Sequence, residues 1–187
     1  MKNFLDLVNR RQSCRKYLDK PVEKEKIIKC IEAARVAPSA CNSQPWHFIV
    51  VNNKELSSKV AYCLQDSIMN KFTSECKTFI IAVEESGNIT SRAGELIKKQ
   101  DFRATDVAIA CEHICLMAEE LELGTCILGW FNEKSLKKLL NIQSGKRVRL
   151  VIAMGYPDSK DVRKKVRKNL DDIYTCLLYT SPSPRDA

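Results

Sequence analysis

The chain of 187 residues contains no apolar run long enough to cross a membrane, and its N-terminus becomes charged before any apolar stretch develops. It also lacks a Ser-His-Asp, Cys-His or paired-carboxylate pattern, so no side-chain nucleophile or acid–base pair stands out. Helix-turn-helix, zinc-finger and RNA-binding signatures are absent as well. We therefore expect a cytoplasmic protein that neither binds a membrane nor reads nucleic acid.

Cysteine is abundant, with nine residues, but its spacing does not predict a metal site. Cys111 and Cys115 share a helical face while His113 points away from it, and no second Cys/His pair follows at a zinc-finger or ferredoxin spacing. The odd count argues against a complete set of intramolecular disulfides. We predict reduced thiols that pack as small apolar residues.

The basic balance, a formal charge of +8 and a pI near 9.0, keeps a nucleic-acid-binding protein open as a remote alternative. Much of the excess lies in residues 163–168, and the aromatic residues, 7% of the chain, do not interleave with them as a base-stacking platform would require. A hydrophobic content of 44% over this length fits one compact core. After Tyr174 a Ser/Pro-rich tail without periodicity begins, so we predict one domain over 1–174 and a disordered or non-native, read-through tail over 175–187.

Hydrophobic periodicity predicts an order of two helices followed by alternating strands and helices. This order gives no clean β-α-β repeat with a Gly-rich first turn, so it favours an α+β layer fold over a Rossmann domain. Residues 84–99 are polar and Gly-interrupted, typical of a mobile loop or a short helix over a site. The predicted helices span 3–10, 22–36, 54–71, 101–123 and 132–140, and the predicted strands span 46–51, 78–83, 125–131 and 147–154.

Several single residues follow from the same patterns. Asn3 and Asn132 are predicted N-caps, and Gly124 a C-terminal cap of the longest helix. The strand over 46–51 is short and β-branched enough for the core. The inward face of the second helix is predicted to carry Ile27, Ile28, Ile31 and Ala34.

Two polar motifs precede and follow the second helix. Residues 37–51, A-P-S-A-C-N-S-Q-P-W-H-F-I-V-V, form an amide-rich turn between two prolines that can edge a flat polar ring. Residues 10–17, R-R-Q-S-C-R-K-Y, place guanidinium groups on either side of a hydroxyl, which suits a phosphate monoester. Taken singly, the first can be an ordinary helix-to-strand connection and the second a solvated face.

Together these motifs resemble the FMN-dependent nitroreductase family, which typically opens with R-R-S-x-R-x-Y and continues with A-P-S-x-x-N-x-Q-P-W. Residues 106–131 look like the family's central helix and G-L-G-T-C strand, and the likeness continues at 154–157 and 165–167. It covers nearly the whole chain up to about residue 174. The resemblance implies a central, mostly antiparallel sheet wrapped by helices, and a homodimer with FMN sites at the interface built from both chains. The 175–187 tail departs from the strand-like arm that the family would place there.

The resemblance further implies an oxidoreductase in which NADH or NADPH reduces FMN, and the flavin then reduces a nitroaromatic, quinone or enone in a ping-pong cycle. No protein side chain would be catalytic, because the flavin carries the chemistry, although Arg15 would support the anionic reduced ring. A non-catalytic flavin-binding or sensor protein stays open as an alternative. The implied FMN contacts are Arg11, Ser13, Arg15, Lys165 and Arg167 at the phosphate and ribityl chain, Pro38, Ser39, Ala40, Asn42 and Gln44 along the ring, Asn70 at the pyrimidine edge, and Leu128 and Gly129 beside N5.

Overall fold

A four-stranded antiparallel sheet lies at the centre of the protein, in the order β1-β2-β4-β3. The computed structural model describes residues 3–65, 69–88, 90–91 and 97–176, and all structural statements concern these residues. Because all three strand pairs are antiparallel, the predicted, mostly antiparallel sheet is confirmed. Its strands are β1 (Trp46–Val51), β2 (Thr78–Glu84), β3 (Gly124–Leu128) and β4 (Arg147–Gly155).

Helices cover both faces of this sheet. On one face α2 (Lys24–Arg35) and α4 (Phe102–Glu120) pack against Ile80 and Ala82 of β2. On the other face α3 (Lys54–Leu64) and α5 (Glu133–Leu139) pack against Phe79, Ile81 and Val83. All seven residues of β2 are consequently buried, as expected for a central strand covered on both faces. The helices are α1 (Phe4–Arg10), α2 (Lys24–Arg35), α3 (Lys54–Leu64), α4 (Phe102–Glu120) and α5 (Glu133–Leu139).

Asparagine and aspartate caps define several helix starts. The side chains of Asn3 and Asn132 accept hydrogen bonds from the backbone amides of Leu5 and Ser135, so both predicted caps are confirmed. Asp101 caps α4 in the same way through Ala104. No described helix is long and apolar enough to cross a lipid bilayer.

Some predicted boundaries and faces were wrong. The strand expected in the core, β1, lies at a sheet edge, with Val50 38% exposed. In α2 the inward position is taken by Cys30 instead of Ile28, which is 49% exposed because it points about 100° away from Ile27 around the helix. Helix α3 ends at Leu64, well before the predicted residue 71; residues 66–68 of that prediction lie outside the described residues.

Gly124 does not cap the long helix. The left-handed residue after α4 is Glu122, with φ 62°, and Gly124 begins β3 opposite Gly155. Strand β3 also ends at Leu128, three residues before the prediction, and beyond it the carbonyl of Trp130 accepts a hydrogen bond from the Asn70 side chain. The predicted 175–187 tail is described only at 175–176, and residues 177–187 lie outside the described residues.

Candidate functional site

The segment after α1 pairs with the start of β3. Ser13 forms a parallel bridge with Thr125, and the backbone amide of Cys14 donates to the Thr125 carbonyl at 2.8 Å. Gly124 permits this approach, because a Cβ added there would lie 2.7 Å from the Cys14 Cβ. The segment thereby presents a partly buried Ser13 and an exposed Arg15 at one end of β3.

Basic side chains from the C-terminal segment reach the same place. The Lys165 Nζ donates to the carbonyls of Val8 and Arg11 at 2.9 and 2.6 Å, so its charge lies at the C-terminal end of α1, where the helix dipole favours a cation. The Arg163 Nη2 donates to the Ser13 carbonyl at 2.6 Å. The structure therefore brings together a set that we call the basic cluster: Arg11, Ser13, Arg15, Arg163 and Lys165.

The electrostatics of the basic cluster suit an anion. Burial, followed by the charges of Arg11 and Arg167, lowers the pKa of Lys165 from its ordinary value. The Arg11 Nε is buried without a hydrogen-bond partner, although Glu112 Oε1 lies 3.5 Å away. Neighbouring like charges and an unsatisfied donor would both be relieved by a phosphate. The residues present thus fit the phosphate end of FMN.

Arg167 is placed less firmly than the rest. Its Nη1 donates to the neighbouring Val166 carbonyl at 2.8 Å, and the residue is exposed. Its charge nevertheless acts on Lys165. Arg167 therefore lies at the margin of the basic cluster.

Helix α1 is held in place by charge instead of apolar packing. It has no buried residue, and Arg10 pairs with Glu119 and Glu120 of α4 at 3.4 and 3.6 Å. Burial raises the pKa of Glu119 even though Arg10 opposes the shift. The position of the basic cluster on α4 thus depends on ion pairs.

The second motif folds into a strained turn, residues 38–44, which we call the polar turn. Cys41, Asn42 and Gln44 have φ values of 51°, 50° and 47°, in the left-handed region that side chains disfavour. The Ser39 hydroxyl accepts from the Gln44 amide at 2.9 Å, and Gln44 Nε2 donates to Asn42 Oδ1 at 3.0 Å. Local hydrogen bonds therefore compensate part of the strain.

Two further elements hold the polar turn from outside. The Ala40 amide donates to both carboxylate oxygens of Asp106 in α4, at 3.2 and 3.1 Å. Asn88 donates from its backbone to the Ser43 hydroxyl at 3.1 Å and from its side chain to the Cys41 carbonyl at 2.9 Å. Asn88 belongs to the 84–99 segment that was predicted to be a mobile loop or a short helix over a site. Its residues 90, 91, 97 and 98 are helical, while 89 and 92–96 lie outside the described residues.

The end of β3 carries the third group of predicted residues. Leu128 is buried and Gly129 exposed, and a Cβ added to Gly129 would meet only Leu150 at 3.9 Å, so there is open space above it. Asn70 Nδ2 donates to the carbonyls of Leu64 and Trp130 at 3.1 and 2.9 Å. Asn70 is thus beside Gly129, but its amide nitrogen already supports the chain, which leaves its carbonyl oxygen for a ligand.

Within one chain, the basic cluster and the polar turn contact different positions of α4. Arg11 contacts α4 at Glu112 and Ala40 contacts it at Asp106, six residues apart, about 9 Å along the axis and about 120° around it. No hydrogen bond or ion pair between the described residues joins the two groups. A cavity of about 600 Å³ between α3 and α5 contains none of the predicted site residues.

Arg163, Asp106 and Asn88 support these groups but were not among the predicted site residues. Arg163 could have been found, because it precedes Lys165 by two positions in the same basic run. Asp106 and Asn88 gave no local signal, since their contacts with the polar turn span 66 and 47 residues.

The cysteines of α4 are core residues. Cys111 and Cys115 are buried, and burial raises the pKa of both thiols to about 12. His113 points instead to α2, where its Nδ1 lies 3.1 Å from the Ala33 carbonyl. Among the described residues, no three His, Cys, Asp or Glu side chains are grouped as metal ligands.

The Nitroreductase family model matches residues 8–87 and 75–156 of the chain. A protein of Archaeoglobus fulgidus, provisionally named NADH dehydrogenase/NAD(P)H nitroreductase, is 35% identical over 169 residues, which cover 86% of this chain and 90% of that protein. The family match includes the polar turn and Arg11, Ser13 and Arg15 of the basic cluster.

Solved structures of the same family have a similar fold. The FMN-dependent nitroreductase of Clostridium difficile R20291 is 28% identical with a TM-score of 0.70, covering 90% of this chain and 94% of its own. A nitroreductase family protein of Clostridium novyi NT is also 28% identical, with a TM-score of 0.73 and coverage of 87% and 89%. Since the family model extends from residue 8 to residue 156 and the fold agrees, the chain belongs to the Nitroreductase family.

Proposed function

We propose that this protein is an FMN-dependent oxidoreductase that transfers hydride from NADH or NADPH to an electron-poor small molecule, a nitroaromatic, quinone or enone, in a ping-pong cycle. The observation that carries the proposal is the basic cluster, with its buried Arg11 Nε that lacks a hydrogen-bond partner, at the start of β3, the strand that Gly129 follows. Family membership and the FMN-dependent relative support the cofactor.

The basic cluster would bind the phosphate. Arg11 offers a donor that is already desolvated, and Lys165 adds a second positive charge beside it. The Ser13 hydroxyl adds a neutral donor, and the exposed Arg15 can follow the negative charge of the reduced ring. Arg163 holds the Ser13 backbone, so it would fix the hydroxyl in place.

Strand β3 sets the distance between the two ends of the cofactor. Ser13 pairs with Thr125, and Gly129 follows four residues later, about 13 Å away at about 3.3 Å per residue. A ribityl chain lying along the strand would link a phosphate at Ser13 to a ring near Gly129. The absent side chain of Gly129 leaves room for that ring.

Bound FMN would supply hydride acceptance and donation at N5. The chain's part is to bind and orient: the backbone of Leu128 and Gly129 would border N5, and Asn70 would offer its carbonyl oxygen to the pyrimidine edge. The polar turn would supply Pro38, Ser39, Ala40, Asn42 and Gln44 along the ring.

The separation of the polar turn from the basic cluster favours a site completed by a second copy. Exposed apolar side chains surround the basic cluster on α1 and on the C-terminal segment, as expected for surfaces that a partner covers. We propose a homodimer in which the polar turn of one chain faces the basic cluster of the other. These apolar residues are Phe4 (67% exposed), Leu5 (62%), Val166 (87%), Leu170 (67%) and Ile173 (64%).

We also propose a cytoplasmic location and one domain ending near residue 174. All nine cysteines are free, which is typical of proteins in a reducing compartment.

The decisive measurement is the absorbance spectrum of the purified protein, followed by anaerobic mixing with NADH or NADPH and then with a quinone. We expect flavin bands, bleaching by the nicotinamide and recovery with the acceptor. The absence of flavin bands even after incubation with FMN would refute the proposal. Flavin binding without bleaching would instead indicate the non-catalytic, sensor-type alternative, and light scattering of a monomer with bound FMN would contradict the shared site.

A further inference from the structure

We infer that Asp106 is a positioning residue for the flavin ring, a buried carboxylate that holds Ala40 and thereby the whole polar turn in the shape that borders the ring. The inference rests on the proposed function. It assigns a role to a residue of α4, which lies outside both the 10–17 motif and the 37–51 motif. In this inference Asp106 acts through the polar turn, by accepting from the Ala40 amide.

The geometry at Ala40 is the first support. Asp106 is 5% exposed, and both of its carboxylate oxygens accept from the Ala40 amide, at 3.2 and 3.1 Å. Ala40 begins the short helical turn in which Cys41 and Asn42 both have left-handed backbones. A conformation that side chains disfavour persists only where the surroundings impose it, and Asp106 acts at its first residue.

The fixed position of α4 is the second support. Asp101, at the start of α4, pairs with the Arg149 guanidinium at 2.7 Å, and Arg149 in turn pairs with Glu84 at the end of β2. The beginning of α4 is therefore tied to both central strands. Asp106 follows Asp101 by five residues on the same helix, and therefore holds the polar turn in a fixed position relative to the sheet.

The other contacts of the turn are of a different kind. Ser39 and Gln44 bond within the turn, and Asn88 approaches from the polar segment on the outer side. The Ala40 bond differs because its acceptor is charged, and a charge-assisted hydrogen bond is roughly twice as strong as a neutral one. Among the contacts described, it is the one that links the turn to the helical core.

The test compares Asp106→Ala and Asp106→Asn with the wild type. Glu133→Gln is the matched control, because Glu133 also accepts from a backbone amide, that of Val148, but on α5, away from the turn. We expect the dissociation constant of FMN to rise about tenfold in Asp106→Ala and about threefold in Asp106→Asn, which keeps one acceptor oxygen. The visible circular dichroism of bound FMN should change in both variants and stay unchanged in Glu133→Gln.

A second readout needs no flavin. Hydrogen exchange of the Ala40 amide should be slow in the flavin-free wild type and at least about tenfold faster in Asp106→Asn, while the amides of β2 stay equally protected in both proteins. If Asp106→Ala fails to fold, this hydrogen-exchange experiment on Asp106→Asn tests the inference by itself.

The outcomes separate the inference from the proposed function. A wild type that takes up no FMN overturns the proposed function and the inference with it. Two results overturn the inference alone. In the first, the wild type binds FMN and Asp106→Ala binds it with unchanged affinity and dichroism. In the second, the hydrogen-exchange rate of the Ala40 amide is the same in the wild type and in Asp106→Asn.

Discussion

The basic cluster and the polar turn reach their shapes by opposite means. The basic cluster is assembled from long charged side chains, on a helix with no buried residue and on an exposed C-terminal segment. The polar turn consists of strained backbone, held by hydrogen bonds within the turn and by the buried carboxylate of Asp106. Charge shapes the first region, and backbone conformation shapes the second.

This difference matches the two ends of the proposed cofactor. A phosphate carries concentrated charge and can be met by flexible cations, whose attraction weakens as salt increases. A flat ring needs a surface of constant shape, which a turn with a single backbone conformation provides. The two regions should therefore fail under different perturbations.

The largest effect is expected from Arg11→Ala, which removes the buried donor of the basic cluster that has no hydrogen-bond partner. FMN affinity should fall by about tenfold to a hundredfold, because hydrogen bonds to charged groups contribute about 1.5–3 kcal/mol. Titration by flavin fluorescence at low and high salt measures this, and the variant should also lose part of the salt dependence.

Lys164→Ala is the control for this experiment. Lys164 is exposed, makes no hydrogen bond or ion pair within the described residues, and lies one position from Lys165. Its substitution should leave FMN affinity within about twofold, since isolated surface charges contribute little. Equal losses in the two variants would mean that net charge, and not the geometry of the cluster, binds the phosphate.

A smaller effect is expected from Gly124→Ala, which disturbs the backbone under the basic cluster. The added Cβ would lie 2.7 and 2.8 Å from Cys14 Cβ and Sγ, so Ser13 must shift away from β3. Urea unfolding should show a loss of about 1–3 kcal/mol, with weaker FMN binding. Gly145→Ala, where nothing lies within 4 Å, should be tolerated, and similar losses in both would point to a general intolerance of alanine.

The smallest effect is expected in the polar turn, at Cys41. Cys41→Gly should leave the free energy of unfolding within about 1 kcal/mol of the wild type or raise it, because glycine adopts a positive φ without strain. Cys41→Val should lower it by about 1–2 kcal/mol, because a β-branched residue is disfavoured there. Thermal unfolding at low and high salt measures both, and a change that depended on salt would contradict a purely backbone origin.

Periodicity predicted the long, regularly patterned elements well. Helix α4 and strand β4 were predicted to within three residues at each end, and the element order was correct. The errors lie where a distant side chain takes over a backbone group, as Asn70 does at Trp130 beyond β3. Gly124 was misassigned because its need for space arises from Cys14, 110 residues earlier in the chain.

In the candidate site, too, local patterns predict some residues while contacts between distant residues decide others. The motifs contain the residue types that suit a phosphate and a ring, and their assignment to FMN stays a prediction. Arg163 lies in the basic run that the sequence shows, but Asp106 could not be assigned its part, because its contact with Ala40 depends on how α4 packs in the folded chain.

Local pattern alone accounts for the helices and strands of this protein and, through its motifs, for its family, because periodicity, caps and turn residues act over a few positions. The tertiary structure decided where those motifs lie. The strand order β1-β2-β4-β3 and the position of α4 place the basic cluster and the polar turn on different sides of one helix. Such an arrangement follows from strand pairing and helix packing between residues far apart in the chain, which no local pattern encodes.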